Sequence, residues 1–186
     1  LLRWLVRPIK PNTLRSAESL DTAAELGAQA HDMVRCTAHS QDRPPPALWL
    51  GETGSAQVGG QAGVSGRWAG TLWWLDQLGS LALHGHHVQC RQTLCGHADS
   101  YALIDGATLE PLPDYWASVL WKQLVGTEVF AVTKSSSDAA DLRIYCHRPT
   151  QLAWRVAGDA TGMREGLEGK SLPAGFLLLA INLGSE

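Results

Sequence analysis

Between residues 17 and 125 the sequence alternates helical and strand-like stretches in the order α, β, α, β, α. Each strand-like stretch runs into polar residues that include glycine. Few architectures accept that order. It is the pattern of a parallel α/β sheet, closed as a barrel or doubly wound. The first helix is expected over 17–39, where Leu20, Ala23, Ala24, Ala30, Met33 and Val34 recur at spacings of three and four. Ser16 is its N-cap candidate, with Ser19 and Asp21 as competitors, and Pro44-Pro45-Pro46 bars any continuation. Leu48-Trp49-Leu50 reads as a strand buried on both faces, because nothing polar alternates with it. Residues 54–66, rich in Gly, Ser and Gln, read as a loop. A second helix is expected over 67–83, with Trp68, Leu72, Leu75, Leu78 and Leu81 at helical spacing and Gly85 beyond its end. A second strand is expected over 87–94, followed by a loop of roughly 18 residues, a length that is usually functional. Asp114 can cap a third helix bearing Tyr115, Val119, Leu120 and Leu124, which Gly126 ends.

Beyond Gly126 the helical period disappears. Val129–Val132, Leu142–Tyr145 and Phe176–Leu183 read as strands of an all-β unit. Trp4, Leu5, Val6 and Ile9 read as a short strand ahead of the first helix. A complete (β/α)8 barrel takes about 250 residues, and this chain has 186. It cannot close such a barrel alone.

Composition excludes several classes. With 45% hydrophobic residues and a formal net charge of −3 the chain is not of the disordered type. It lacks the basic surplus of a nucleic-acid binder. No apolar run approaches the roughly 18 residues of a membrane span, so no transmembrane segment is expected. The chain begins Leu1-Leu2-Arg3 and shows no secretory signal.

Glu52 is the sharpest chemical candidate. It stands just beyond an apolar strand, at the carboxyl end where parallel α/β folds place their active sites. A carboxylate there can serve as nucleophile, general acid or metal ligand. Arg91 and Gln92 interrupt an apolar strand, and a buried strand does not hold a charge without a partner. One of the two is therefore expected to face a polar centre. His84, His86 and His87 read as a polar helix end more readily than as a metal pair, since no carboxylate lies within three residues. The tryptophans of the second helix, and Trp49, read as core rather than as a sugar-stacking platform. Gly59-Gly60 could supply backbone donors. Cys36, Cys90, Cys95 and Cys146 lack CxxC spacing and read as small core residues.

A series of motifs now resembles a known family. Leu48-Trp49-Leu50-Gly51-Glu52-Thr53-Gly54-Ser55-Ala56 resembles WLGETSSA of the heparanase-like enzymes, glycoside hydrolase family 79. Ala69-Gly70 with Trp74-Leu75-Asp76-Gln77-Leu78-Gly79 resembles AGFMWLDKLG, and Arg91-Gln92 the RQ of the last barrel strand. Tyr101–Asp105 resembles YHLVD, Pro111–Trp116 is PLPDYW, and Leu124–Thr127 is LVGT. Leu142–Tyr145 and Ala180–Leu183 are similar to the first strands of the family's β-sandwich.

The resemblance implies the C-terminal part of a (β/α)8 TIM barrel, over 1–126, followed by the first strands of an all-β sandwich, incomplete over 127–186. It implies a retaining glycosidase of the β-glucuronidase or heparanase type, acting on heparan sulfate or a related glucuronide-containing saccharide, without a cofactor or a metal. Glu52 becomes the nucleophile. Gly59, Gly60 and Tyr101 are expected to hold the glucuronate carboxylate, and Gln92 to line the centre. The location implied is secreted, extracellular or lysosomal.

The departures are specific. Gln57 replaces a tyrosine, Val58 replaces the first of three glycines, and Arg148 or its neighbour replaces a sandwich cysteine. The acid/base glutamate of the family follows an asparagine far upstream of the nucleophile. Glu18 and Glu25 have no such asparagine, so the acid/base and the rest of the barrel are expected from sequence outside this chain. Residues 48–125 carry three basic against six acidic side chains, which suits a less charged glucuronide as well as a sulfated one. The alternative is an inactive truncated isoform or paralogue that binds saccharide or protein.

Overall fold

A computed structural model describes residues 16–39, 44–56, 59–134, 141–153, 155–156 and 175–183. The strand expected around Trp4–Ile9 lies outside them, as do Gln57 and Val58. The elements run α1 (Ala17–His39), β1 (Leu48–Thr53), α2 (Trp68–Leu83), β2 (His86–Arg91), β3 (Cys95–Gly96), β4 (Ile104–Asp105), α3 (Pro113–Leu124), β5 (Val125–Phe130), β6 (Leu142–Pro149) and β7 (Leu177–Asn182). The protein is thus mixed α/β. β1 and β2 pair in parallel across the α2 crossover, β3 and β4 form a minimal parallel pair, and β5–β6–β7 is antiparallel.

Local chemistry sets the helix ends. The Ser16 hydroxyl accepts the Ser19 backbone N–H at 3.3 Å, opening α1 as a serine cap should. Gly85 follows α2 at φ +76°, the left-handed position in which glycine costs least. α3 starts two residues earlier than expected. Leu112 occupies its cap, Pro113 its first turn, and Asp114 is 3% exposed and engaged elsewhere rather than capping. Gly126 does not end this helix either. α3 passes at Leu124 directly into β5, which contains Gly126.

The hydrophobic core lies where α1, α2 and the antiparallel sheet meet. Leu20, Tyr145, Ile181 and Leu183 are buried together, with Leu72, Trp73, Leu75 and Leu179 packed against them. α2 is central, with nine of its sixteen residues buried. Its Gly79 lies face to face with the Tyr145 ring, in space that a β-carbon would fill. Trp74 is buried as expected, whereas Trp68 is 67% exposed at the start of the helix and Met33 is 63% exposed on α1.

Three expectations are corrected by the structure. β1 is not buried on both faces: Trp49 is 63% exposed. With β1 and β2 forming a two-stranded sheet, α2 covers one face, and among the described residues the other is open. Cys36, Cys90 and Cys95 are exposed rather than core, and only Cys146 is buried. The second strand ends at Arg91, and the stretch expected as a loop contains β3 and β4. Their two-residue length produces no alternating pattern to read. Backbone hydrogen bonds from Leu103 to Thr93, Ile104 to Leu94 and Leu112 to Leu103 hold that stretch together.

Candidate active site

The site is built on the carboxyl ends of β1 and β2, and its key feature is a change of phase in β1. Leu50 pairs with Gln89 and Thr53 with Arg91, so Gly51 and Glu52 together stand opposite the single residue Cys90. This two-against-one count is a β-bulge, a device that re-aims side chains. Burial follows it. Thr53 is buried and its hydroxyl donates to Gln77 Oε1 of α2 at 3.0 Å, so it faces the helix. Gly51 and Glu52 are exposed. In a regular strand of the same six residues, strict alternation would set Glu52 on the face of Leu48 and Leu50.

Beside Glu52, the main chain of the two strands continues in register. The Gln92 backbone N–H donates to Thr53 O at 2.9 Å. The Gln92 side chain accepts a hydrogen bond from the Tyr101 hydroxyl at 3.1 Å. Tyr101 is 7% exposed and is gripped along its length. Its ring lies against Gly54, where a β-carbon would approach to 2.9 Å, and its backbone N–H donates to Gly59 O at 3.2 Å. Gly60 sits at φ +111°, and a β-carbon there would come within 2.7 Å of Tyr101 N. Both the dihedral and the contact demand glycine. The residues singled out in the sequence thus group in two sets. Gly59, Gly60, Tyr101 and Gln92 are joined by direct contacts, and Glu52 is placed next to them through Thr53.

The loop carrying these glycines is closed by serine hydroxyls. Ser55 Oγ donates to Ser65 Oγ at 2.8 Å, and the Gln61 backbone N–H donates to Ser65 Oγ at 2.8 Å. Gly59 and Gly60 are therefore held at the mouth of the sheet by a short polar clasp.

Arg91 answers the expectation that a charge in this strand needs a partner. Its side chain is 4% exposed, and Nη2 donates to Asp114 Oδ2 at 2.5 Å. Asp114 Oδ1 also accepts the Thr71 hydroxyl at 2.6 Å. Asp114 was legible only as a helix cap. The available signal was the unpaired arginine itself, which required a carboxylate from somewhere in the chain.

The histidines do not converge on a metal. His84 lies in the turn before β2, His86 is its first residue, and His87 is exposed. Among the described residues no three His, Cys, Asp or Glu side chains gather to hold an ion. Burial holds the His86 imidazole below its ordinary pKa. No helix among the described residues is long and apolar enough to cross a membrane.

No family model matches the sequence. Individual proteins do. Over 132 residues, 71% of this chain, it is 42% identical to heparanase of Gallus gallus. Over 105 residues, 56% of the chain, it is 46% identical to heparanase of Bos taurus. Over 81 residues, 44% of the chain, it is 41% identical to baicalin-beta-D-glucuronidase of Scutellaria baicalensis. These matches span 24%, 19% and 15% of the respective relatives, so the chain spans under a quarter of the length of the proteins it matches.

Proposed function

The chain is a member of the heparanase-like glycoside hydrolase family 79, and we propose that it carries the nucleophile half of a retaining β-glucuronidase site. In this reading β1 and β2 are late strands of a (β/α)8 barrel, and β5–β7 open an appended β-sandwich. The observation that carries it is the bulge in β1, which leaves Glu52 exposed one residue before Thr53, whose carbonyl accepts the Gln92 N–H.

Retention needs two carboxyl groups. One attacks the anomeric carbon to form a glycosyl ester. The other, about 5–5.5 Å away, protonates the departing oxygen and then deprotonates the incoming water. Glu52 takes the first role. Gly59 and Gly60 offer backbone N–H donors to the glucuronate carboxylate, Tyr101 turns to it the O–H that Gln92 Oε1 accepts in the free chain, and Gln92 lines the centre. The substrate is a glucuronide-containing saccharide, heparan sulfate or a less charged relative. An extracellular or lysosomal location goes with that chemistry.

The second carboxyl comes from elsewhere. Glu18 and Glu25, the two glutamates that precede Glu52, lie exposed on α1. α1 packs against α2, with Gly27 beside Leu81 and His31 beside Gly85 ahead of β2. Neither glutamate follows an asparagine. Their exposure on a helix favours a second reading for the chain by itself: a saccharide-binding product without turnover.

The experiment uses the chain joined to an upstream segment bearing an Asn-Glu pair, with an aryl β-D-glucuronide as substrate. Glu52→Gln should abolish turnover while leaving the melting transition in place. Full activity in that variant would refute the nucleophile assignment. Binding without turnover, in the joined and the separate chain alike, would establish the second reading.

A further inference from the structure

We propose that Arg91 and Asp114 are a buried positioning pair that sets Gln92 and Tyr101 for ligand; the ligand half of this statement rests on the saccharide site described above. One guanidinium reaches both residues. Arg91 Nη1 donates to the Gln92 carbonyl at 2.5 Å, fixing the backbone from which the Gln92 side chain departs. Its Cζ lies 5.6 Å from the Tyr101 ring centroid, and 5.6 and 5.4 Å from those of Trp73 and Trp74. Asp114 aims the guanidinium from the first turn of α3, where a carboxylate is favoured by the helix dipole. Thr71 of α2 in turn orients Asp114. Strand, two helices and the Tyr101 segment therefore meet at a single planar cation.

Stability alone does not explain the pair. A buried ion pair can often be replaced by well-packed apolar residues with no loss of stability. What an apolar residue cannot supply is a directed donor to the Gln92 carbonyl together with a flat cation against three aromatic rings. Lysine cannot supply both either, since its ammonium is a compact point charge. The pair thus acts through Gln92 and Tyr101 and does not touch the saccharide.

The test is Arg91→Lys in the full chain, followed by two measurements. Amide hydrogen exchange without ligand should show the Gln92 and Tyr101 N–H groups exchanging about tenfold faster, while the interiors of α2 and α3 keep their rates. Affinity for an aryl β-D-glucuronide should fall about tenfold, as displaced contacts commonly do. Unchanged exchange at Gln92 and Tyr101, or an equal acceleration throughout α2 and α3, would overturn the proposal. Tyr101→Phe separates the two readings. If it binds the glucuronide as the parent does, the saccharide site is wrong, and the exchange data still decide whether Arg91 positions Tyr101. Should Arg91→Lys lose its cooperative melt, Thr71→Val loosens only the orientation of Asp114 and is read by the same exchange criteria.

Discussion

The Tyr145 hydroxyl donates to Asp76 Oδ1 across 2.6 Å, tying the central strand of the antiparallel sheet to α2 over 69 residues of sequence. Asp76 is 1% exposed. Arg143 stands beside the same carboxylate at 3.8 Å and reaches Asp21 of α1 at 2.7 Å. α1, α2 and β6 are thus linked by one polar chain lying against the apolar core. Burial pushes the Tyr145 phenol far above its ordinary range, and the Asp76 carboxylate adds to that effect, so the hydroxyl remains the donor.

Tyr145→Phe should lower the unfolding free energy by about 1–3 kcal/mol, because it leaves a buried carboxylate oxygen without its donor while preserving the ring against Gly79. Urea denaturation measures this. A loss below about 0.5 kcal/mol, the level of ordinary surface changes, would mean that the bond contributes nothing net.

Asp76 gives a pH dependence with a definite sign. Burial raises its pKa above the ordinary 3.8, against the lowering influence of Tyr145 and Arg143. The folded state therefore holds the proton more tightly than the unfolded chain. Its contribution is fully present below the unfolded carboxylate range and is lost as pH rises through the folded value. The stability difference between the parent and Asp76→Asn should accordingly fall as pH rises above about 4. Taking the difference removes His86 and His147, whose imidazoles burial holds low and which act with the opposite sign. A difference that grew with pH would contradict this placement of Asp76.

Gly60→Ala should cost about 1–3 kcal/mol, since it combines a left-handed backbone with a close approach to Tyr101 N. It should also weaken glucuronide binding, because Tyr101 must shift. Gly63→Ala is the control. Gly63 has φ +71° but nothing within 4 Å of the added carbon, so it carries the backbone strain alone. Equal melting temperatures for the two variants would show that the Tyr101 contact is slack.

The thiols give a direct check of the sheet's open face. Cys36, Cys90 and Cys95 are exposed and should react with a thiol reagent in the native protein, whereas Cys146 should react only on unfolding. Mass spectrometry after a timed quench would count them. Native protection of Cys90 would mean that the open face is covered in solution.

The sequence was informative where a residue broke its local pattern. Arg91 in an apolar strand demanded a counter-charge, whereas Gly51-Glu52, read as lying beyond the strand, is inside it, because β1 runs on to Thr53. The partner was hidden because Asp114, 23 residues later, already had a satisfactory local role as a helix cap. The link between Asp76 and Tyr145 was invisible for a related reason. Each lay inside a regular helix or strand pattern, and nothing local records that two such residues face one another. Burial at Trp49 was misread because apolar character reports what a side chain tolerates, not whether a neighbouring strand is there to cover it. β3 and β4 could not be read at all, since two residues make no period.

The extra residue in β1 makes strand length a variable of its own. Removing Gly51 would leave every chemical group of the site in the chain, yet Glu52 would inherit the place opposite Cys90 on a strictly alternating strand. Substitution scanning cannot detect such a dependence, because it never changes the count. A single-codon deletion, or a compensating insertion beside Cys90, would ask whether chemistry here is governed by an odd number of residues as much as by an acidic one.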